Sequence, residues 1–357
     1  MERYNRHIIL DKVGLKGQEK IQNASVLVIG AGGLGCPVLQ YLTAAGIGKI
    51  GIIDMDIVTI SNLQRQILFG TTSIGKNKAI AAREQLKNLN NEITINAYPE
   101  KLTHQNALQY FKEYDIIVDG TDNYATRYLI NDASIITNKP LVYGAIYKFE
   151  GQVSVFNYQN GASYRCIFPK KPNGAEPNCS EVGVLGVLPG IIGSLQATEV
   201  LKIILNIGDV LSGNLLCYHA LTNKITKIKF KKNALEIEKI VEGRKTFHLK
   251  MDTENCVIEK FEIPVEKAFQ LKNTQFIDVR EYNEQPKITF KNRVQIPLSE
   301  LKTNLSKIDI TKTNVFFCKS GIRSKQAVLL LEQEEIKNSF SIKNNLQEII
   351  NYINHEK

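Results

Sequence analysis

The sequence predicts an α/β protein in two units, a larger one built on a parallel sheet and a smaller one that follows it. Three observations carry this expectation. The chain has 357 residues, against about 150 per domain. Apolar strand-like runs alternate with helical patterns over the first 140 residues, the signature of parallel strands joined by crossover helices. The alternation then starts again near Glu262. Hydrophobic residues make up 43% and charged residues 23%, the balance of a folded chain and not of a disordered one.

The elements follow in order. Strand-like runs occupy Ser25–Gly30, Lys49–Asp54, Glu92–Tyr98 and Asp115–Asp119, with helical stretches between them. Pro140 to Phe156 reads as two longer strands turning at Glu150-Gly151. A polar, Pro/Gly-rich segment runs from Pro169 to Ser180, followed by an apolar helix over Val187–Leu205 and a hairpin from Leu215 to Phe230. Lys231 to Asn255 is charged and lacks periodicity, which suits a linker. The second unit reads as strands at Phe276–Arg280, Ile296–Leu298, Asn314–Cys318 and Ser339–Ile342, a helix from Ile322 and a closing amphipathic helix. The expected division is 1–240, a linker over 241–261, and 262–357.

Composition excludes several classes. The longest apolar candidate, Val182 to Leu205, is interrupted by Gly, Pro, Gln, Glu and Lys, which argues against a membrane span. Met1 to His7 lacks the apolar stretch of a signal peptide, so a cytoplasmic protein is expected, with no membrane partner. The net charge of +9 is spread along the chain, with only short clusters such as Lys229, Lys231 and Lys232. That favours anionic small molecules or an acidic protein partner over nucleic acid. The six cysteines are widely spaced with no C-x-x-C, and read as free thiols.

Gly30-Ala31-Gly32-Gly33-Leu34-Gly35 matches G-x-G-x-x-G between a strand and a helix. Gly30, Gly32, Gly33 and Gly35 allow a tight turn and close backbone approach, so the helix N-terminus can face a phosphate, as in a Rossmann-like fold. Asp54 ends the next strand, where a carboxylate can accept hydrogen bonds from ribose hydroxyls. Alone, this fingerprint favours a nicotinamide or flavin enzyme over another user of nucleotides. The residues beyond it, Asp56, Ser61-Asn62-Leu63-Gln64-Arg65-Gln66 and Lys78, change the balance. Hydride transfer has no need of an Arg and a Lys here, whereas a triphosphate must be neutralised before an anionic nucleophile approaches. Thr121-Asp122-Asn123 offers a carboxylate for Mg²⁺ at Asp122; the plain alternative is a helix N-cap.

Arg3-Tyr4-Asn5-Arg6, the Gly-rich loop, Asp54-x-Asp56, Asn62 to Gln66, Lys78 and Thr121-Asp122-Asn123 together resemble the ThiF/MoeB family, relatives of the ubiquitin-activating enzymes. The likeness runs in unbroken order from residue 1 to about 235. It implies a Rossmann-like adenylation domain that uses ATP and Mg²⁺ on the C-terminal Gly-Gly of a ubiquitin-like sulfur-carrier protein. It also implies that Gly33, Asp54, Ser61, Asn62, Leu63, Gln64, Arg65, Lys78, Asp122 and Asn123 line the ATP site. Arg6 would reach the ATP of a second subunit, which makes a homodimer; its bland alternative is a solvated helix residue.

Two cysteines stand out. Cys179 lies at the end of the Pro/Gly segment, shortly before a helix, where a thiol can move toward an activated carboxyl group and the helix terminus favours its thiolate. The resemblance makes it the reactive cysteine of the family; otherwise it is an incidental thiol. Many family members hold structural zinc with two C-x-x-C pairs. Here the first pair is reduced to Ser163-Tyr164-Arg165-Cys166, and no cysteine occurs near Glu236 to Lys239. One thiolate cannot close a four-ligand site, so no zinc is expected.

Cys318-Lys319-Ser320-Gly321-Ile322-Arg323-Ser324 follows a strand and leads into a helix. Such a loop can aim backbone N–H groups at the sulfur, with Lys319, Arg323 and the helix dipole adding positive potential. With Ile277-Asp278-Val279-Arg280 and Ile296 to Ser299, the stretch 262–357 resembles a single rhodanese domain, although Asn344 to Gln347 lacks the Gly-Gly often found there. Asp278 and Arg280 read as a structural ion pair.

The halves combine into one reaction sequence. Adenylation makes the carrier's carboxylate electrophilic, and a persulfide on Cys318, loaded by thiosulfate or a cysteine desulfurase, attacks it. The thiocarboxylate left after reductive release would serve molybdopterin or thiamine synthesis. The linker raises the effective concentration of sulfur donor near the adenylate. A nucleotide-holding scaffold with an inert rhodanese domain is the alternative. An NAD-dependent oxidoreductase would leave Arg65, Lys78 and Cys318 without a task.

Overall fold

The computed structural model describes residues 2–169, 183–249, 261–319, 321–334 and 336–355. The chain forms two compact units, Met1–Lys250 and Met251–Lys357.

The first unit is built on an eight-stranded sheet. Its strands are β1 (Ser25–Ile29), β2 (Lys49–Ile53), β3 (Thr94–Tyr98), β4 (Ile116–Asp119), β5 (Leu141–Tyr147), β6 (Glu150–Phe156), β7 (Asn214–His219) and β8 (Lys224–Lys229). The spatial order is β3-β2-β1-β4-β5-β6-β7-β8. Pairings from β3 across to β5 are parallel, and the remaining three are antiparallel. The parallel strands are short continuous apolar runs because both faces are covered. Val26 and Val28 of β1 point into one core with Ile50 and Ile52, while Leu27 and Ile29 join Ile53 and Ile117 in the other.

The helices that cover these faces are α1 (Asn5–Ile8), α2 (Gly14–Asn23), α3 (Gly35–Ala45), α4 (Lys78–Leu89), α5 (Ala107–Lys112), α6 (Tyr124–Thr137), α7 (Tyr164–Ile167), α8 (Leu188–Leu205) and α9 (Ala234–Glu242). α8 is long and apolar enough to cross a membrane by composition. Here its residues Leu188, Ile192, Ala197 and Val200 are buried in the core, against α3, β5 and β6.

Three local expectations are corrected. The strand pair β5–β6 turns at Lys148-Phe149, with Lys148 at φ +53°, and Gly151 lies inside β6 opposite Ile146. Gly151 serves helix packing and not a turn: a Cβ there would sit 2.3 Å from Ile192 of α8. The stretch read as a linker from Lys231 carries α9 and a 3₁₀ segment, Gly243–Leu249, within the first unit. Ile240 and Phe247 are its buried anchors, invisible as periodicity because they lie seven residues apart among charges. Finally, the cap of α6 is Asn123, whose side chain accepts the Thr126 N–H, so Asp122 is not the cap.

The second unit holds a five-stranded parallel sheet, β11-β10-β12-β13-β9. These are β9 (Glu262–Ile263), β10 (Thr274–Asp278), β11 (Arg293–Gln295), β12 (Thr313–Phe317) and β13 (Ser339–Ile342), with α10 (Val265–Gln270), α11 (Ile322–Gln333) and α12 (Leu346–His355). Asp278 and Arg280 are fully buried and doubly bonded, Nε–Oδ1 2.9 Å and Nη2–Oδ2 2.7 Å. Arg293 adds a third bond to Asp278 at 2.8 Å. The Asp278–Arg280 pair fixes the chain leaving β10, and Arg293 ties that pair to β11, a structural task.

Candidate active site

Strand order reverses beside β1, whose neighbours are β2 and β4. Ligands of open α/β sheets bind outside the strand C-termini at such a switch point. A cleft of about 450 Å³ lies there, lined by the ends of β1, β2 and β4. The glycines shape it. Gly30 has φ +91°, in the left-handed region, and a Cβ would sit 2.8 Å from the Gly120 carbonyl. Gly35 stands behind the turn, where a Cβ would lie 1.9 Å from the Gly30 carbonyl. It lets α3 approach the turn and does not itself line the cleft.

Gly30, Gly32, Gly33, Asp54, Asn62, Arg65, Lys78, Asp122 and Asn123 all line this one cleft. Asp54 accepts the N–H groups of Ala31 and Asp56, each at 2.8 Å, which locks the ends of β1 and β2 together. Burial holds its pKa above the ordinary aspartate value, against the pull of Lys78 and these N–H donors. Lys78 opens α4; its Nζ is 2.8 Å from Asp56 Oδ2 and the residue is buried. Asn77 caps α4 and donates to the carbonyls of Asp54 and Asp56, so the cap also fixes the acidic turn. Arg65 donates to the Ser61 carbonyl at 3.1 Å. The Asp122 carboxylate is exposed at the cleft wall and forms no hydrogen bond among the described residues. It fits Mg²⁺, which takes one or two carboxylates plus phosphate oxygens.

The other expected residues stand outside the cleft lining. Ser61 Oγ lies 3.0 Å from Thr59 Oγ1, Leu63 packs against the core, and Gln64 abuts Gly186, where a Cβ would meet its carbonyl at 2.3 Å. Arg6 is exposed on α1. Cys179 lies outside the described residues. Gln66, the end of the Asn62–Gln66 motif, lines the cleft as well, and sequence reasoning passed over Arg127, Lys101 and Ile146. Arg127 could have been found from its place one helical turn after Asn123; Ile146 carried no signal.

Where the family places zinc, Cys166 Sγ accepts the N–H groups of Ser163 at 3.3 Å and Asn233 at 3.2 Å. Arg165 makes a two-point bond to Asp132, at 2.7 and 2.9 Å. Among the described residues no three His, Cys, Asp or Glu side chains converge.

In the second unit Cys318 directly follows β12 and is buried. Its Sγ lies 3.7 Å from Ser324 Oγ, which donates to the Gly321 carbonyl and accepts from Ser341 Oγ at 2.8 Å. Gly321, at φ +84°, turns the chain into α11. Arg323 does not lend its charge to the sulfur alone: both its terminal nitrogens bond the Glu284 carboxylate.

A parallel sheet with a glycine-rich β1–α3 turn, an acid closing β2 and two cations in the following connection defines a nucleotide-binding α/β enzyme fold. The chain belongs to the ThiF family, whose model matches residues 4–237. It is 51% identical over 239 residues to the sulfur carrier protein adenylyltransferase of Thermus thermophilus, covering 65% of this chain and 88% of that protein. It is 40% identical over 344 residues to the probable adenylyltransferase/sulfurtransferase MoeZ of Mycobacterium tuberculosis, covering 93% and 88%. In fold it resembles a crystal structure of Escherichia coli MccB with MccA, at a TM-score of 0.58 and 23% identity over 65% of this chain and 72% of that one.

Proposed function

We infer that this protein is an ATP-dependent adenylyltransferase with a sulfurtransferase domain, acting on a ubiquitin-like sulfur carrier for molybdopterin or thiamine biosynthesis. The observation that carries it is the meeting of Arg65 and Lys78 with the glycine turn in one cleft. Those cations offset the triphosphate charge as the carrier's C-terminal carboxylate attacks the α-phosphorus and pyrophosphate leaves. Asp54 accepts from the ribose. Asp122 would hold Mg²⁺, which supplies further charge neutralisation on the phosphates. Thiosulfate or a cysteine desulfurase would load Cys318 as a persulfide, and that sulfur would attack the acyl adenylate and displace AMP. The acyl disulfide so formed would be cleaved by a thiol reductant to release the thiocarboxylate, and Cys179 would form an acyl link, displacing AMP, or a disulfide link during this exchange. Arg6, exposed and outside the cleft of its own subunit, is free to serve a second subunit in a homodimer. The protein is read as cytoplasmic and free of zinc.

ATP–pyrophosphate exchange stimulated by a Gly-Gly-ended carrier tests the reading. Exchange that depends on ATP, Mg²⁺ and the carrier is expected. Its absence with both molybdopterin-type and thiamine-type carriers would overturn it.

A further inference from the structure

The cleft has a second cationic wall. Arg65 and Lys78 belong to the connection from β2 to β3, whereas Arg127 lies on α6 in the connection from β4 to β5, where Thr126 also lines the cleft, beside Ile146 of β5. Because β2 and β5 flank the β1–β4 pair on opposite sides, these cations come from opposite sides of the switch point. The polyphosphate takes the side with the glycine turn, Arg65 and Lys78. The other side offers a cation to a second anionic group.

Arg127 is built for such a task. It is only 9% exposed, and its guanidinium lies 5.7 Å from the Tyr124 ring centroid and 5.5 Å from that of Tyr143, a rigid aromatic setting for a cation. Its donors are nonetheless incompletely used. Nη2 donates to the Thr121 carbonyl at 3.2 Å. Nε forms no hydrogen bond among the described residues; Asp119, its buried ion-pair partner, stands 4.0 Å away at Oδ2, too far to accept one. The other Asp119 oxygen is engaged by the Thr121 N–H at 2.9 Å and hydroxyl at 2.6 Å. The ion pair thus leaves a buried guanidinium donor without an acceptor, which is unfavourable unless an incoming oxygen supplies one.

We propose that Arg127 binds the C-terminal carboxylate of the carrier and holds it for attack on the α-phosphorus, a role that rests on the adenylation reading above. One carboxylate oxygen forms a bond to that phosphorus as its bond to the bridging oxygen of pyrophosphate breaks. Pyrophosphate departs with the electron pair, and no proton or redox partner is needed. The planar guanidinium fork matches a carboxylate at two points, which a lysine cannot do. The carboxylate loses its charge on becoming an acyl phosphate, so Arg127 holds the substrate more strongly than the adenylate. Its loss therefore falls mainly on carrier binding.

The test uses the full chain, a recombinant ubiquitin-like carrier ending in Gly-Gly, and the same carrier with a C-terminal amide. In pyrophosphate exchange, Arg127→Gln should raise the carrier KM about tenfold or more, as expected for a lost charge-paired contact, while the KM for ATP stays within about threefold. Arg127→Lys should fall between and gives the same comparison if Arg127→Gln fails to fold. Binding titrations with a non-hydrolysable ATP analogue should show the parent protein preferring acid over amide and Arg127→Gln losing that preference. Exchange absent from the parent protein would remove the adenylation reading itself. A parent protein that exchanges normally, with an acid preference that survives in Arg127→Gln or with a loss shared equally by ATP, overturns the role of Arg127 alone.

Discussion

Lys78 and Asp56 are joined twice: Lys78 Nζ lies 2.8 Å from Asp56 Oδ2, and the Lys78 N–H donates to the Asp56 carbonyl at 2.8 Å. The backbone bond fixes the start of α4 against the acidic turn after β2. The side-chain bond aligns an almost buried ammonium in the cleft, while the Asp56 side chain remains 56% exposed. The carboxylate can therefore swing into water and yield the lysine to a phosphate at little loss, because an exposed partner gains back its hydration.

Arg65→Ala and Lys78→Ala should each lower carrier-dependent pyrophosphate exchange by about 100-fold or more, the scale for losing one preorganised charge stabiliser. Sulfur transfer from thiosulfate to cyanide should be unchanged in both, since Cys318 belongs to the other unit. Parallel assays on folded variants decide it; a joint loss of both activities would contradict two separate sites.

The second unit should show a specific acid sensitivity. Two hydrogen bonds from Arg323 hold Glu284 down to about 2, whereas an unfolded glutamate titrates near ~4.3. A depressed carboxylate pKa adds stability that is complete above the unfolded value and is lost as pH falls from there toward 2. Glu284→Gln should therefore lower the melting temperature of this unit at pH 7 by the equivalent of about 1 kcal/mol or less, since both side chains are partly exposed. Melts of parent and variant should converge near pH 2. A gap that persists there would place the effect in packing and not in the ion pair.

The sequence announced the parallel strands because burial on both faces leaves a continuous apolar run, as in Ser25–Ile29. It announced the glycine turn and Asp54 because backbone approach and strand-end acids have few substitutes. It misplaced the β5–β6 turn because a glycine such as Gly151 can mark helix contact as well as a turn. It missed α9 because only Ile240 of that helix is buried, which leaves almost no apolar face to read. Arg127 went unread because its meaning depends on Tyr143, sixteen positions away on β5. Conversely, Arg323 was given to the sulfur because nothing local reveals Glu284, thirty-nine positions earlier.

The clasp around Cys166 leads to a metal prediction. Two backbone N–H groups point at its sulfur, and α9 packs against α6 and α7. Purified protein should hold well under one equivalent of zinc by elemental analysis, and a chelator should leave its melting temperature unchanged. Tightly held stoichiometric zinc would show that ligands from outside the described residues complete a site here.

The order of the chemistry can be separated by the two cysteines. Adenylation needs ATP, Mg²⁺ and charge neutralisation but no thiol, because the carrier's own carboxylate attacks the α-phosphorus. Cys318→Ser should therefore keep pyrophosphate exchange and lose thiocarboxylate formation. The serine preserves the shape of the turn into α11, yet its hydroxyl is far too weakly acidic to form a nucleophilic anion at neutral pH, and it cannot carry a second sulfur as a persulfide. Cys179→Ser should also keep exchange, with a smaller loss of thiocarboxylate where its link to the carrier is dispensable. Mass spectrometry of the carrier reads the outcome directly, since sulfur in place of oxygen adds about 16 mass units, a difference in atomic mass independent of any enzyme property. Thiocarboxylate made from thiosulfate by Cys318→Ser would remove the second unit from the reaction. Loss of exchange in Cys179→Ser would move that thiol into the adenylation step, ahead of the transfer it is assigned to.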